Sequence, residues 1–272
     1  MDRLSRLVID KPTDERFNRL FRAEARKLGF SVARIKDNYC SVSDGERSLK
    51  FDISSEKYAY ARTRSAVEAQ KMAERVQADF DVLDRMVSFT TGQNFLRFTA
   101  VHSGEVKKGM ISEDFMGCFR KVLCTTSDDI HARILDEKYL REWDIPAEVL
   151  FSVADRNMSR TLLKMTFNEG IIDEGSNIRF MELSAETGDF AAAMMTCSGF
   201  YDFASKRLGN RFLVIAPSKD TVAAMTEPVE NIYSRFRDLV TESNRWSSEP
   251  LTTAVFLYTP QGIETADRFP DI

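Results

Sequence analysis

The chain has 272 residues, of which 43% are hydrophobic and 29% are charged, and its formal net charge is −4. This length suffices for one large domain or two modest ones, and the composition is typical of a soluble globular protein. The small negative charge argues against a dedicated nucleic-acid-binding protein, because such proteins draw much of their affinity from a surplus of basic residues. A local basic patch stays compatible with it.

The N-terminal residues and the four cysteines predict a cytoplasmic protein without a membrane anchor. The opening sequence MDRLSRLVIDKP has neither the apolar run nor the small-residue cleavage site of a signal peptide. No segment approaches the ~20 apolar residues that cross a bilayer. Cys40, Cys118, Cys124 and Cys197 form no CxxC pair, so we expect reduced thiols packed as small apolar side chains.

The first 90 residues predict a helix, a small antiparallel meander and a second, longer helix. The first helix is expected to open at Thr13 as its cap and to end at Gly29. Asp44-Gly45 lies between two short extended segments and is typical of a hairpin turn. A capping box, Ser65-Ala66-Val67-Glu68, begins a helix that runs to about Val87. We place a domain boundary between residues 90 and 91.

Residues 91–272 predict a second domain in which helices and strands are mixed. The hydrophobic periodicity and the turn residues indicate helices at 111–119, 136–143, 146–162, 199–208 and 229–245. They indicate strands at 95–101, 121–126, 131–135, 179–183, 190–196, 212–216 and 251–258. The fold class that we predict is therefore α+β, in two lobes of mostly antiparallel sheet covered by helices.

Candidate catalytic and metal-binding groups are few. The chain has two histidines, and one of them, His131, follows Asp128-Asp129, a combination able to hold a divalent ion. An Asp-Asp pair is also an ordinary solvated turn, so we predict no metal site. Cys197 precedes a predicted helix start, where a thiolate would be favoured, although a buried structural cysteine is the commoner case. No P-loop or GxGxxG motif is present, so we predict no cofactor and assign no catalytic residue.

An aromatic cluster at the start of the predicted helix 199–208 is the preferred interaction surface. Phe200, Tyr201, Asp202 and Phe203 follow one another there, and a short helix leaves some of them exposed, although packing beneath the sheet is the commoner fate for at least two of them. Exposed aromatic side chains are good anchors for a protein partner. We therefore predict that this segment contacts another protein, with no strong nucleic-acid signal and no membrane contact.

Several blocks resemble the YtpQ-like bacterial proteins, a family of unknown function. The first is Tyr139-Leu140-Arg141-Glu142-Trp143 with Pro146 and Asn157, and the others lie at 199–208, 212–220 and 250–258. The resemblance implies an α+β cytoplasmic protein and supplies no catalytic residues. It also implies that Trp143, Pro146 and Asn157 form a structural joint, with Trp143 packed into the C-terminal core.

Two functional hypotheses follow from these observations. The first is a non-enzymatic binding, regulatory or immunity-type protein that acts through protein–protein contacts. The second is an enzyme of unrecognised, hydrolase-like type that uses Cys197 or His131 with nearby aspartates, namely Asp128, Asp129 or Asp202. Thiol reactivity at neutral pH distinguishes them, because an enzymatic Cys197 would react much faster than the other cysteines.

Overall fold

The computed structural model describes residues 9–36, 38–128, 131–173, 178–183, 189–227, 237, 240 and 249–268. The chain divides into two compact units, Met1–Asp84 and Arg85–Ile272, and each is described by itself. Both units combine helices with antiparallel sheets, which confirms the predicted α+β class. None of the described helices combines the length and the apolar content that crossing a membrane requires.

Within its described residues, unit 1 contains a three-stranded sheet and three helices around one core. Its elements are α1 (Lys11–Lys27), β1 (Ser31–Lys36), β2 (Tyr39–Ser43), β3 (Ser48–Asp52), α2 (Ser54–Thr63) and α3 (Val67–Arg85). The strands pair in the order β1-β2-β3. Phe17 of α1 contacts Tyr60 of α2, and Phe30 stacks on Phe80 of α3 at a centroid distance of 4.8 Å. Each such buried ring contributes roughly 1.5–3 kcal/mol by leaving water.

The start of α1 differs from the sequence prediction. The cap is Asp10 rather than Thr13, because the Asp10 carboxylate accepts the backbone N–H of Thr13 at 2.7 Å. Pro12 then lies in the first turn, where its missing N–H costs nothing. The hydrogen bonds from Thr13 hold the pKa of Asp10 below its ordinary value. Helix α2, whose sequence carries only a weak apolar periodicity, was not predicted.

In the part of unit 2 that the structure describes, the strands form two antiparallel sheets. The helices are α4 (Phe89–Gly92), α5 (Lys138–Trp143), α6 (Ala147–Leu162), α7 (Ala191–Met194) and α8 (Phe200–Leu208). The strands are β4 (Leu96–Val101), β5 (Ser112–Phe115), β6 (Phe119–Thr125), β7 (Arg133–Ile134), β8 (Asn168–Asp173), β9 (Ile178–Leu183), β10 (Phe212–Ser218), β11 (Thr221–Thr226), β12 (Ala254–Thr259) and β13 (Gly262–Arg268).

The two sheets of unit 2 meet through aromatic side chains. The smaller sheet has the order β4-β6-β5, with β7 also paired to β6, and the larger has the order β13-β12-β10-β11-β9-β8. Phe256 of β12 contacts Phe115 of β5 and Phe119 of β6 edge-on, at centroid distances of 5.5 and 6.5 Å. Helix α6 covers β4, where Phe151 packs on Phe98. These contacts fix the position of α6 against the smaller sheet.

Two predicted elements of unit 2 are wrong. The helix expected at 111–119 is the β5–β6 hairpin, whose turn places Met116 and Gly117 at positive φ. Asp114 stabilises this turn by accepting the N–H of Gly117 at 2.7 Å. The strand expected at 190–196 is the short helix α7, because an apolar run that is buried throughout does not distinguish helix from strand.

Three strands of the larger sheet were not predicted, and one helix stays untested. The missed strands are β8, β11 and β13, which supply both edges of that sheet and one interior position. The helix expected at 229–245 lies outside the described residues, apart from Arg237 and Val240. Val240 packs into the core of the larger sheet.

Candidate functional site

A groove of about 480 Å³ opens in unit 2 between α6 and the β5–β6 hairpin. Its lining residues come from one face of α6 and from the two strands: Ser112, Glu113, Lys121, Ala147, Glu148, Phe151, Ser152 and Asp155. The α6 members follow the spacing that brings side chains of successive turns onto the same helix face. Glu113 and Lys121 are direct cross-strand neighbours in the β5–β6 register. The groove volume falls within the range that ligand-binding clefts occupy.

Lys121 lies on the floor of the groove. Its Nζ is 5.2 Å from the ring centroid of Phe98 and 5.7 Å from that of Phe151, so two aromatic rings contact the ammonium group. The same Nζ lies 3.3 Å from Glu113 Oε1. The aliphatic part of the side chain thereby covers apolar surface while the charge stays at the groove.

Carboxylates dominate the rim of the groove. Glu113, Glu148 and Asp155 contribute three negative charges against the single positive charge of Lys121. Asp155 accepts two hydrogen bonds from Ser198, one from the backbone N–H at 2.9 Å and one from the hydroxyl at 2.5 Å. Glu148 makes no ion pair within the part of the chain that the structure describes. The groove is therefore acidic and suits a cationic group.

A second polar cluster connects separate segments of unit 2 through Asp189. Its carboxylate accepts the Lys219 ammonium at 2.9 Å and the backbone N–H of Ala132 at 2.7 Å, while its carbonyl accepts the Thr99 hydroxyl at 2.6 Å. Burial alone would lower the pKa of Lys219, but the carboxylates of Asp189 and Glu249 outweigh it and raise that pKa. Sequence reasoning missed this cluster, because its members lie far apart along the chain.

The histidine candidate contacts the carboxylate of Asp128. Asp128 accepts the backbone N–H of His131 at 2.9 Å, and its second carboxylate oxygen lies 2.7 Å from His131 Nδ1. Asp129 lies outside the described residues. Across the described residues, no three His, Cys, Asp or Glu side chains come together in a way that could hold a metal ion. The contact between Asp128 and His131 is therefore a local one, between residues three positions apart in the sequence.

The cysteine candidate is buried and protonated. Cys197 is 4% exposed, and burial raises its pKa to about 11. Burial likewise raises the pKa of Cys40 to about 11 and lifts that of Cys124 well above its ordinary value. A thiol is nucleophilic only as the thiolate, so none of these three groups is activated at neutral pH.

Two of the four members of the aromatic cluster at the start of α8, Phe200 and Phe203, are internal. Phe200 is fully buried against Tyr258, and Phe203 is buried against Phe167 under the guanidinium of Arg207. The reason is that i and i+3 residues of a short helix share the face that packs on the sheet.

The other two members of this cluster lie at the surface. Tyr201 is half-buried, donates its hydroxyl to the Asn210 carbonyl at 3.2 Å and stacks on Phe212. Asp202 is exposed. A partner-binding role at this helix thus stays a prediction for Tyr201 and Asp202, and the buried rings of Phe200 and Phe203 do not reach a partner.

The Trp143 corner is a packed joint between α5 and α6. Asp144 ends α5 in the left-handed conformation, with φ of 52°, and Pro146 is the N-cap of α6. Trp143 donates its indole N–H to the Met86 carbonyl at 3.2 Å. Asn157 donates its amide group to the carbonyls of Gln93 and Leu96, at 2.8 and 3.0 Å. The Asn157 bonds join α6 to the chain at the start of β4, and the Trp143 bond joins α5 to Met86.

Comparison with known proteins adds no assignment. A scan against family models, a search of curated proteins and a search of solved structures each returned no match. Membership of the YtpQ-like family accordingly stays a prediction from the sequence blocks described above.

Proposed function

We propose that this chain is a non-enzymatic binding or regulatory protein of the cytoplasm, and that the acidic groove of unit 2 takes up a basic segment of a protein partner. The observation that carries the proposal is the excess of carboxylates around the groove. Glu113, Glu148 and Asp155 face a single ammonium group, that of Lys121. A guanidinium or ammonium side chain that binds there would balance the excess negative charge of these carboxylates.

The rim of the groove favours a peptide over a small cation. Val149 follows Glu148 on α6 and is 41% exposed, so an apolar contact is available beside the carboxylate. Phe151 lines the groove and offers a ring face to an aliphatic stem. Basic residues flanked by apolar ones combine both chemistries, as at the centre and rim of protein interfaces.

The competing hypothesis, an enzyme that uses Cys197 or His131, has less support. A thiol with a pKa of about 11 leaves roughly one molecule in ten thousand as thiolate at neutral pH. His131 Nδ1 contacts the Asp128 carboxylate, and Asp202 lies on helix α8. The resemblance to the YtpQ-like proteins, which we carry into this proposal as family membership, supplies no catalytic residue either.

A labelled peptide tests the proposal directly. The peptide has ten residues, in which every second residue is Ser and the others are Arg and Leu in turn. Its acidic counterpart carries Glu in place of each Arg. We expect fluorescence anisotropy at low salt to show binding of the basic peptide alone. The double variant Glu113→Lys/Glu148→Lys should weaken that binding by about tenfold or more, because two rim charges are reversed.

A matched variant separates the groove from overall charge. Glu137→Lys/Glu142→Lys makes the same change of net charge at exposed positions of α5 and its N-cap, outside the groove lining. When the titration is repeated at 0.15 M salt, where the screening length is about 8 Å, this control should lower the affinity by less than about twofold, because neither residue lines the groove. Equal losses in both double variants, or equal binding of both peptides by the wild type, would refute the proposal.

A further inference from the structure

Helix α1 of unit 1 carries a row of arginines on its outward face. Arg16, Arg19, Arg22 and Arg26 follow at spacings of three, three and four residues, and all four are exposed. At 3.6 residues per turn these positions fall within about 120° of the helix circumference. With a rise of 1.5 Å per residue, the row is about 15 Å long. We call these four residues the α1 arginine stripe.

The opposite face of α1 fixes the helix in the core. Phe17, Phe21 and Ala25 are buried there, and Asp10 caps the N-terminus. Arg22 adds a hydrogen bond from its guanidinium to the Ala33 carbonyl of β1 at 3.2 Å. The stripe therefore lies on a helix that is already held in place by its packing. Binding a ligand there would cost little backbone entropy.

The carboxylates of α1 do not neutralise the stripe, because each is paired elsewhere. Glu15 pairs with Lys11, Glu24 with Lys27 and Asp14 with the buried Lys57 of α2. Within the described residues, Arg16, Arg19 and Arg26 have no ion-pair partner. Over residues 11–36 the sequence holds eight Lys and Arg against three Asp and Glu. The stripe thus keeps its positive charge.

The usual structural reason for basic residues on a helix explains only part of the stripe. Cations in the last turn interact favourably with the helix dipole, and this accounts for Arg26 and the neighbouring Lys27. Arg16 and Arg19 lie well before that turn, and the dipole effect does not reach them. The helix dipole therefore does not account for these two arginines, and a polyanionic ligand would.

We propose that the α1 arginine stripe binds the phosphate backbone of a nucleic acid. Arginine contacts phosphate with two parallel N–H donors, and arginines spaced along one side of a helix can contact successive phosphates. A membrane-surface helix would instead bury its apolar face in lipid, whereas Phe17, Phe21 and Ala25 already face the core of unit 1. The net charge of the chain conceals this surface, because it averages over acidic and basic regions.

The test is a binding titration of the full chain against labelled 20-base-pair DNA and RNA duplexes at several salt concentrations. Four phosphate contacts predict a slope of about −3.6 for the logarithm of affinity against the logarithm of salt concentration. The variant Arg19→Gln/Arg26→Gln should weaken binding about tenfold or more and reduce the slope by about two. Glutamine is a good helix former, so circular dichroism should stay unchanged.

The control variant is Arg62→Gln/Lys71→Gln, which removes two exposed basic side chains from α2 and α3 and changes the net charge equally. Its affinity and slope should stay close to those of the wild type. Equal losses of duplex affinity in the two variants would show that net charge alone explains the effect, and this would overturn the proposal. Absence of duplex binding at low salt would also overturn it, as would binding only to anionic lipid vesicles or only to a polyglutamate peptide.

Discussion

Lys121 lies directly opposite Glu113 in the β5–β6 ladder, with its Nζ 3.3 Å from Glu113 Oε1. The two side chains differ in exposure, at 15% for Lys121 and 50% for Glu113. The ammonium group is therefore held at the floor of the groove by the rings of Phe98 and Phe151, while the carboxylate faces the solvent. This arrangement places one fixed positive charge beneath an acidic rim.

Replacing Lys121 by Met should tighten the binding of a basic peptide. The variant keeps an apolar stem of similar length and removes the one charge that repels a cationic ligand. At ~6 Å in water such a repulsion is roughly 0.7 kcal/mol, so we expect the dissociation constant to fall about threefold. Lys138→Met, an exposed lysine at the start of α5, is the control and should leave the affinity unchanged. A weaker or unchanged affinity for Lys121→Met would place the ligand elsewhere.

The Asp189 cluster should contribute more to stability than a surface ion pair. Asp189→Ala removes the nearer of the two carboxylate partners of the half-buried Lys219 ammonium, and it removes the acceptor of the Ala132 N–H. We expect the free energy of unfolding to fall by about 2–4 kcal/mol, measured by urea denaturation with tryptophan fluorescence. Glu227→Ala breaks the exposed pair with Arg211 and should cost less than about 1 kcal/mol. Similar losses of unfolding free energy in the two variants would show that the Asp189 cluster contributes no more than a surface ion pair.

Sequence reasoning reached the elements whose signals are local. Asp44-Gly45 lies in the β2–β3 turn, and the periodicity of α3 predicts the burial of Met72, Val76 and Phe80. The same periodicity predicts a buried Val87, but α3 ends at Arg85 and Val87 is 83% exposed. The segment 111–119 was misread because its strand pairing with β6 is decided across a hairpin whose turn, Met116-Gly117, has no familiar signature. Local chemistry thus predicts turns and amphipathic helices better than the strands that tertiary pairing selects.

The candidate site could not be predicted for a similar reason. Glu113 and Lys121 lie eight residues apart, and they become neighbours only because the segment between them turns. Glu148 and Asp155 reach the same groove only once α6 packs on β4. The arginine spacing on α1 was readable in the sequence, but its exposure depended on which face Phe17 and Phe21 would bury. Convergence of distant residues is a property of packing, which a single sequence does not display.

The stability of the β2–β3 turn should depend on pH through the ionisation of Asp44. Hydrogen bonds from the backbone and then the side chain of Arg47 lower the pKa of Asp44 from 3.8 to about 2. Because the folded pKa lies below the unfolded one, this stabilisation is fully present above about pH 4 and is lost as the pH falls towards 2. The carboxyl carbon of Asp44 should titrate in NMR spectra with a midpoint near 2. Asp44→Asn should remove this part of the acid sensitivity, and a wild-type midpoint near 3.8 would contradict the assignment.

Thiol labelling decides between the binding and the enzymatic hypotheses for Cys197. Because its pKa is about 11 and its side chain is 4% exposed, iodoacetamide at pH 7.5 should modify Cys197 at least about a hundredfold more slowly than a small-molecule thiol. Mass spectrometry of peptides after timed quenching measures this rate. Cys40, with a similarly raised pKa, is the internal control and should react as slowly.

Unfolding in urea should bring the labelling rates of Cys40 and Cys197 to that of the small-molecule thiol, because both the burial and the raised pKa depend on the folded core. A native Cys197 that outpaces Cys40 by a wide margin would mean that its thiolate is accessible and stabilised, in favour of an enzyme. Comparably slow labelling of both cysteines in the native protein would mean that Cys197 has a structural role. Its sulfur would then act as a small apolar group that packs beside Phe200 at the start of α8.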